Sequence, residues 1–134
     1  MCFAANTLFQ LQKKNISQII MGGGYYHPSS TVFESEAMLP IMNGLRATKA
    51  FIAPAAADMS LGLTCSAPYD KTIKELEIKN SQKRVLLLTS NKFGKVKSTL
   101  FGTWEQVDAV ITDKGITEDW IEFFREKDIE LFIV

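Results

Sequence analysis

Short apolar runs, each closed by glycine, proline or a polar turn, alternate along this chain with stretches whose apolar residues recur at helical spacing. Residues 1–5, Met-Cys-Phe-Ala-Ala, read as a strand already under way at the first position. Asn6 or Thr7 then caps a short helix reaching about Lys13, with Leu8, Phe9 and Leu11 available for burial. Residues 17–21 read as a second strand, stopped by Gly22-Gly23-Gly24; a run of glycines reaches backbone angles closed to other residues and predicts a tight turn. Residues 25–30 read as a polar-aromatic loop. Residues 36–45 read as a helix broken near Pro40, because proline is tolerated only at a helix start or a kink.

The pattern sharpens further along. Residues 49–53 read as a buried strand followed by the small-residue stretch 54–57. The clearest helix covers residues 68–80: Ile73, Leu76 and Glu77 set the spacing, and Pro68 suits the first turn. Residues 84–88, Arg-Val-Leu-Leu-Leu, form a continuous apolar run of the kind buried on both faces of a parallel sheet. A strand at 109–112, a helix at 117–126 and a last strand at 130–134 complete the chain. Strands alternating with helices in this way predict βαβ units with right-handed crossovers. The fold class is therefore α/β, an open, mainly parallel sheet with flanking helices.

Composition narrows the class without changing it. The 134 residues are 46% hydrophobic and 22% charged, which suits one globular domain over residues 1–134 and excludes a disordered chain. Fifteen basic and fifteen acidic side chains cancel, so the chain carries no standing basic field for nucleic acid. Cys2 and Cys65 form no Cys-x-x-Cys pair and read as free thiols, and no metal-ligand spacing occurs. No apolar run approaches the roughly 20 residues that span a bilayer, and the start lacks a signal-peptide pattern. The expectation is a cytoplasmic protein with no membrane partner and no cofactor.

In open α/β sheets, ligands collect beyond the carboxyl ends of the strands. Three stretches fall there: residues 53–58, residues 89–95 and the glycine run at 22–24. Lys92, just past the apolar run and followed by Phe93-Gly94, has two readings. It either presents its ammonium to a phosphate or carboxylate as a point charge, or is a solvated loop lysine beside Lys95 and Lys97. Asp70 and Lys74, four apart on one helix face, read either as a surface ion pair worth ~0.3 kcal/mol or as an acid and a base facing the strand ends together. The glycine run lacks the spacing of a dinucleotide or Walker loop, and the lone His27 reads as a solvent-exposed loop residue.

Taken in order, these loops resemble a known family. Lys49-Ala50-Phe51-Ile52, Gly62-Leu63-Thr64-Cys65, the helix carrying Lys74, Val85-Leu86-Leu87-Leu88 leading into Asn91-Lys92-Phe93-Gly94-Lys95-Val96, and Val110-Ile111-Thr112-Asp113 follow the sequence seen in DeoR-type transcriptional regulators, in their C-terminal effector-binding domain. Upstream, Asn6-Thr7 and Gly23-Gly24 with Ser29 match too, so the resemblance covers essentially the whole chain. It implies a sensor domain similar to ribose-phosphate isomerase and related sugar-phosphate enzymes, binding a phosphorylated sugar and reporting to an N-terminal helix-turn-helix on operator DNA. Lys92 matches the lysine after the sensor strand. Lys74 matches the lysine of the Glu-Glu-x-x-Val-Lys helix, where Asp70 takes the second acidic position and Tyr69 replaces the first.

The chain departs from the family pattern at Ala55-Ala56-Ala57, where many members have Ala-Asp-Gly, and at Thr89, where many have aspartate. It also shows neither the helix-turn-helix nor the Asp-x-Gly-Thr-Thr phosphate loop, and reads as a fragment truncated at its N-terminus. The resemblance implies a repressor's sensor with Lys92 and Lys74 facing phosphate, Asp70 accepting from a sugar hydroxyl, and Asn6 and the backbone at Gly23 and Gly24 helping to hold the ligand. Operator DNA would be reached only through the absent domain. A pentose-phosphate aldose–ketose isomerase with Asp70 as base is the alternative; the sensor reading assigns no catalytic residue. An exposed sheet edge in such a truncated sheet predicts self-association into a homo-oligomer.

Overall fold

Residues 1–16 and 18–134 are described by the computed structural model, and they gather into two units, Met1–Leu45 and Arg46–Val134. In the first, helix α1 covers Ala5–Gln12. The run ahead of it, expected as a strand, contributes only isolated bridges: Cys2 lies parallel to Met21, and Ala4 lies antiparallel to Val32. The expected strand at 17–21 begins on Ser17, which lies outside the described residues; Gln18 to Ile20 have no regular structure, and the Met21 bridge is what remains.

The stretch read as a polar-aromatic loop instead opens a hairpin. Strand β1 (Tyr25–His27) pairs antiparallel with β2 (Val32–Glu34). The Tyr26 and Phe33 rings lie 5.0 Å apart, and His27 Nε2 sits 2.8 Å from the Glu34 carboxylate. Cross-strand pairs of this kind stabilise strands too short and polar to show an alternating pattern. Gly24 precedes β1 with φ of 114°, and a Cβ there would collide with the Glu34 carbonyl, so the turn needs glycine at that position. A 3-10 turn at Glu36–Met38 then runs into α2 (Leu39–Gly44) with Pro40 in its first turn, in agreement with a helix broken near that proline.

The second unit follows as β3 (Ala47–Ile52), β4 (Ala56–Asp58), β5 (Gly62–Cys65), α3 (Pro68–Lys79), β6 (Ser81–Leu87), β7 (Thr99–Gly102), β8 (Ala109–Thr112), α4 (Glu118–Glu126) and β9 (Glu130–Ile133). Strands β3-β6-β8-β9, in that order, form an all-parallel sheet, and β4-β5-β7 form a small antiparallel one. The α/β class with a parallel sheet and flanking helices is thus realised. The antiparallel sheet was hidden because its strands are short and built from small residues. Ala56, Ala57, Leu63 and Cys65 are buried completely. Gly62 has φ of 75°, and a Cβ there would come within 2.6 Å of the Gly102 carbonyl, so β5 approaches β7 closely only because glycine stands there.

One core holds this unit together. Ile52, Leu86, Leu88 and Val110 from the parallel sheet meet Leu63 and Phe101 from the antiparallel sheet, with Ile78 of α3 and Phe124 of α4. An aromatic group completes it. The Trp120 ring lies 4.7 Å from Phe93 and 5.6 Å from Trp104, and the Trp104 indole N–H donates to the Asp58 carbonyl at 2.8 Å. Tilted and edge-on ring pairs of this kind are worth ~0.5–1.5 kcal/mol beyond the area they bury.

Two strand expectations need correction. The stretch at 49–53 is not a buried strand: β3 is an edge strand on which only Ile52 is buried, and Phe51 keeps 57% of its surface exposed. The run at 84–88 is covered unevenly: Leu86 and Leu88 are buried on one face, while on the other Val85 is buried and Leu87 is 38% exposed. An apolar run records the residues' chemistry and not what stands on each side of the sheet.

Candidate functional site

The carboxyl ends of β3, β6 and β8 bring three loops of the second unit together. After β6, a 3-10 turn over Ser90–Lys92 carries the lysine singled out above. The turn is braced by Asp113 from the loop after β8: its carboxylate accepts from the Ser90 N–H at 2.7 Å and from the Gly115 N–H at 2.9 Å. Bonds from Ser90, then from Gly115, favour the charged form and hold the Asp113 carboxyl below the ordinary carboxylate range. Thr89 donates its hydroxyl to Asn91 Oδ1 at 2.6 Å, and the Lys92 N–H closes onto the Thr89 carbonyl at 3.0 Å.

Lys92 is half-buried, and its ammonium donates a long 3.4 Å hydrogen bond to the Pro54 carbonyl in the loop after β3. Among the described residues it has no carboxylate partner. The Pro54 loop is fixed in turn: the Ala55 N–H donates to the Thr64 carbonyl at 3.0 Å, and Ala57 bridges Phe93. Beside the brace, Thr112 at the end of β8 keeps a buried hydroxyl with no hydrogen-bond partner.

The helical pair forms, but not as a surface pair. Lys74 is only 9% exposed, and its ammonium stands 3.0 Å and 2.9 Å from the two oxygens of Asp70. It also lies 5.8 Å over the Phe101 ring. The first turn of α3 places Asp70 at the positive end of the helix, where a carboxylate is favoured. Glu77 joins the same helix face one turn on. Burial pushes its carboxyl up to about 7, against the lowering pull of Lys74, and Asp70 raises it further. Cys65, whose thiol burial and the Asp70 charge push upward, lies close to the same pair. One lysine therefore serves two carboxylates in a half-buried polar cluster.

Lys92, Asp70 and Lys74 belong to the second unit, where Lys92 bonds the Pro54 carbonyl after β3 and the ion pair lies on the first turns of α3. Asn6, Gly23 and Gly24 belong to the first unit. There, Asn6 Oδ1 accepts from the Thr7 N–H at 2.7 Å. The helix starts at Ala5 with Ala4 as its N-cap, two residues earlier than a cap at Asn6 implies, so Asn6 lies inside α1 and is not its cap. At Gly23 a Cβ would meet nothing within 4 Å. Sequence reasoning gave no role to Asp113, Ser90 or Glu77. An aspartate directly after a buried strand is the signal that points to Asp113. Glu77 counted only as one of the residues that set the helical spacing of α3; a carboxylate on that stripe is the signal that could have marked it.

Cys2 and Cys65 are both free and buried. Among the described residues no group of three or more His, Cys, Asp or Glu stands ready to hold a metal ion, and no helix is long and apolar enough to cross a membrane.

Comparison with known proteins agrees with this architecture. A family model described as the DeoR C terminal sensor domain matches residues 1–114. The deoxyribose operon repressor of Escherichia coli strain K12 is 26% identical over 130 residues, 97% of this chain and 52% of that protein. An uncharacterized HTH-type transcriptional regulator of Haemophilus influenzae is 29% identical over 116 residues, 87% of this chain and 45% of that protein. The HTH-type transcriptional regulator GolR of Listeria innocua is 25% identical over 127 residues, 95% of this chain and 50% of that protein. The chain thus spans about half the length of the curated relatives it matches. With a family model covering most of its length and the resemblance running through its strand-end loops, this chain belongs to the DeoR C-terminal sensor domain family.

Proposed function

We propose that residues 1–134 act as a single effector-binding domain that senses a phosphorylated sugar for a cytoplasmic transcriptional repressor. The observation that carries this reading is Lys92: a half-buried ammonium at the carboxyl end of a parallel sheet, held by one long carbonyl bond and without a counter-ion among the described residues. Such a cation accommodates a phosphate as a point charge. Lys74 is neutralised by Asp70, so that pair suits sugar hydroxyls, to which it offers both an acceptor and a donor. The names of the relatives favour a regulator, and one of them names deoxyribose. Operator DNA would be held by a helix-turn-helix outside these residues.

The mechanism is linkage. An effector that binds one arrangement of the domain better shifts the balance between DNA-bound and released states by its differential affinity. The isomerase alternative finds no support. The relatives are named as regulators, and the Asp70 carboxylate that would act as base is tied to Lys74 through both oxygens.

The test is a thermal-shift screen of this chain against pentose, deoxypentose and hexose phosphates, with the free sugars as controls. A cognate phosphosugar at a hundred times its dissociation constant should add ~2.7 kcal/mol of stability. The free sugar should add far less, and Lys92→Ala should abolish the shift while leaving the unliganded melting temperature unchanged. No shift with any phosphosugar, or a shift that survives Lys92→Ala, would overturn the assignment.

A further inference from the structure

A groove of about 620 Å³ runs between α3 and β7. Residues 100–103 line it one after another. Successive side chains of a strand point to opposite faces, so four consecutive lining residues mean that the strand's edge bounds the groove. That edge is unpaired. The order β4-β5-β7 leaves β7 at the margin of its sheet, and among the described residues its backbone pairs with β5 alone. A row of free N–H and C=O groups is a template for a further strand.

The side chains around the groove say what kind of strand fits. Ile78 and the half-exposed Leu100 offer apolar contact. On the helix wall, Lys71 pairs with Glu75 at 3.6 Å. The Arg84 guanidinium is held by both Asp108 oxygens at 2.6 Å and 2.9 Å. Lys79, in the last turn of α3, lines the same groove and has no ion-pair partner among the described residues. The charge left to select a partner is therefore positive.

We propose that this groove takes an extended segment of another protein as an added strand on β7, with an apolar side chain against Ile78 and Leu100 and a carboxylate reaching Lys79. Side chains on one face of a strand are two residues apart, so the acid stands at that spacing from the apolar residue. Main-chain bonds along β7 give the affinity, and the pocket and Lys79 give the selection. A helix is a poor occupant, because its backbone groups are satisfied internally and would leave those of β7 unpaired. Arg84 lies near the start of β6, whose far end leads to Lys92, so such a partner and an effector at Lys92 would not compete.

Peptide titration followed by amide exchange tests this on the purified chain. The probe is a capped hexapeptide of valine, threonine, glutamate, threonine, valine and threonine. It should bind and slow exchange in β7. N-methylation at alternate residues blocks one edge of an extended peptide, so of the two such analogues one should bind about tenfold or more weakly than the other. Lys79→Glu should weaken binding of the glutamate peptide about tenfold and favour the analogue with lysine in its place. A probe that fails to bind, two N-methylated analogues of equal affinity, or a charge preference that Lys79→Glu leaves unaltered would overturn the proposal. So would β7 protection that grows with protein concentration alone, which would give the edge to a second copy of this chain.

Discussion

Glu77 shows how far a single side chain can depart from what its position in the sequence suggests. It occupies the helical spacing of Ile73 and Leu76, so α3 turns it toward Lys74, an ammonium already engaged by Asp70. Burial then raises its carboxyl from 4.5 to about 7. A raised acid binds more protons in the folded than in the unfolded state, so its contribution is fully present below about 4.5 and is lost as the pH rises through 7. A shift of this size corresponds to ~3 kcal/mol at most. Glu77→Gln should leave urea stability unchanged near pH 4.5, raise it by ~1–2 kcal/mol at pH 8, and flatten the slope between. Equal effects at both pH values would show that Glu77 is not the titrating group. Asp113 is the contrasting acid: it accepts N–H bonds from two loop residues, so its charge is useful to the fold and its carboxyl falls in place of rising.

At the scale of the element, α4 is the piece on which the aromatic core depends. Trp120 and Phe124, four apart, lie on one face, and Phe124 is wholly buried within 5.9 Å of the Phe93 ring and 5.4 Å of Trp104. Phe124→Ala should cost ~3–5 kcal/mol by urea denaturation, since the rigid rings around it collapse poorly onto a cavity. A loss below ~1 kcal/mol would mean that the group repacks freely. Helices α3 and α4 were legible because their apolar residues recur at one spacing and their starts carry proline or acidic residues. The hairpin β1–β2 and the antiparallel β4-β5-β7 were not. They are three or four residues long, too short to display a period, and they exist through cross-strand pairing, local in β1–β2 and β4–β5 and long-range between β5 and β7.

For the whole molecule, the two units differ in what they bury. Among the described residues of Met1–Leu45, only Cys2, Gly22 and Met42 are buried, whereas Arg46–Val134 contains the entire large core. Few buried apolar contacts mean cheap local opening. Amide exchange should therefore be fast across α1 and the β1–β2 hairpin and slow in β6 and β8, whose central strands open only with global unfolding. Equal protection in both units would contradict this partition. Lys92, Asp70 and Lys74 belong to the better-packed unit, so ligand-induced stabilisation at those side chains should be read from amides of β6 and β8.

What the sequence determined by itself is what depends on local chemistry: the alternation of strands and helices, hence the α/β class, a glycine turn at residues 22–24, and the placement of Lys92 just beyond an apolar strand. Family membership was equally legible, because it rests on residue types in order. The tertiary structure alone decided which apolar runs were covered on one face or two, since burial depends on neighbours that the run does not encode. It turned the Asp70–Lys74 spacing from a surface pair into a half-buried cluster with Glu77, because α3 packs that face toward Phe101. It also left Lys92 without a counter-ion among the described residues, while the Asp113 carboxylate was spent on the backbone N–H groups of Ser90 and Gly115.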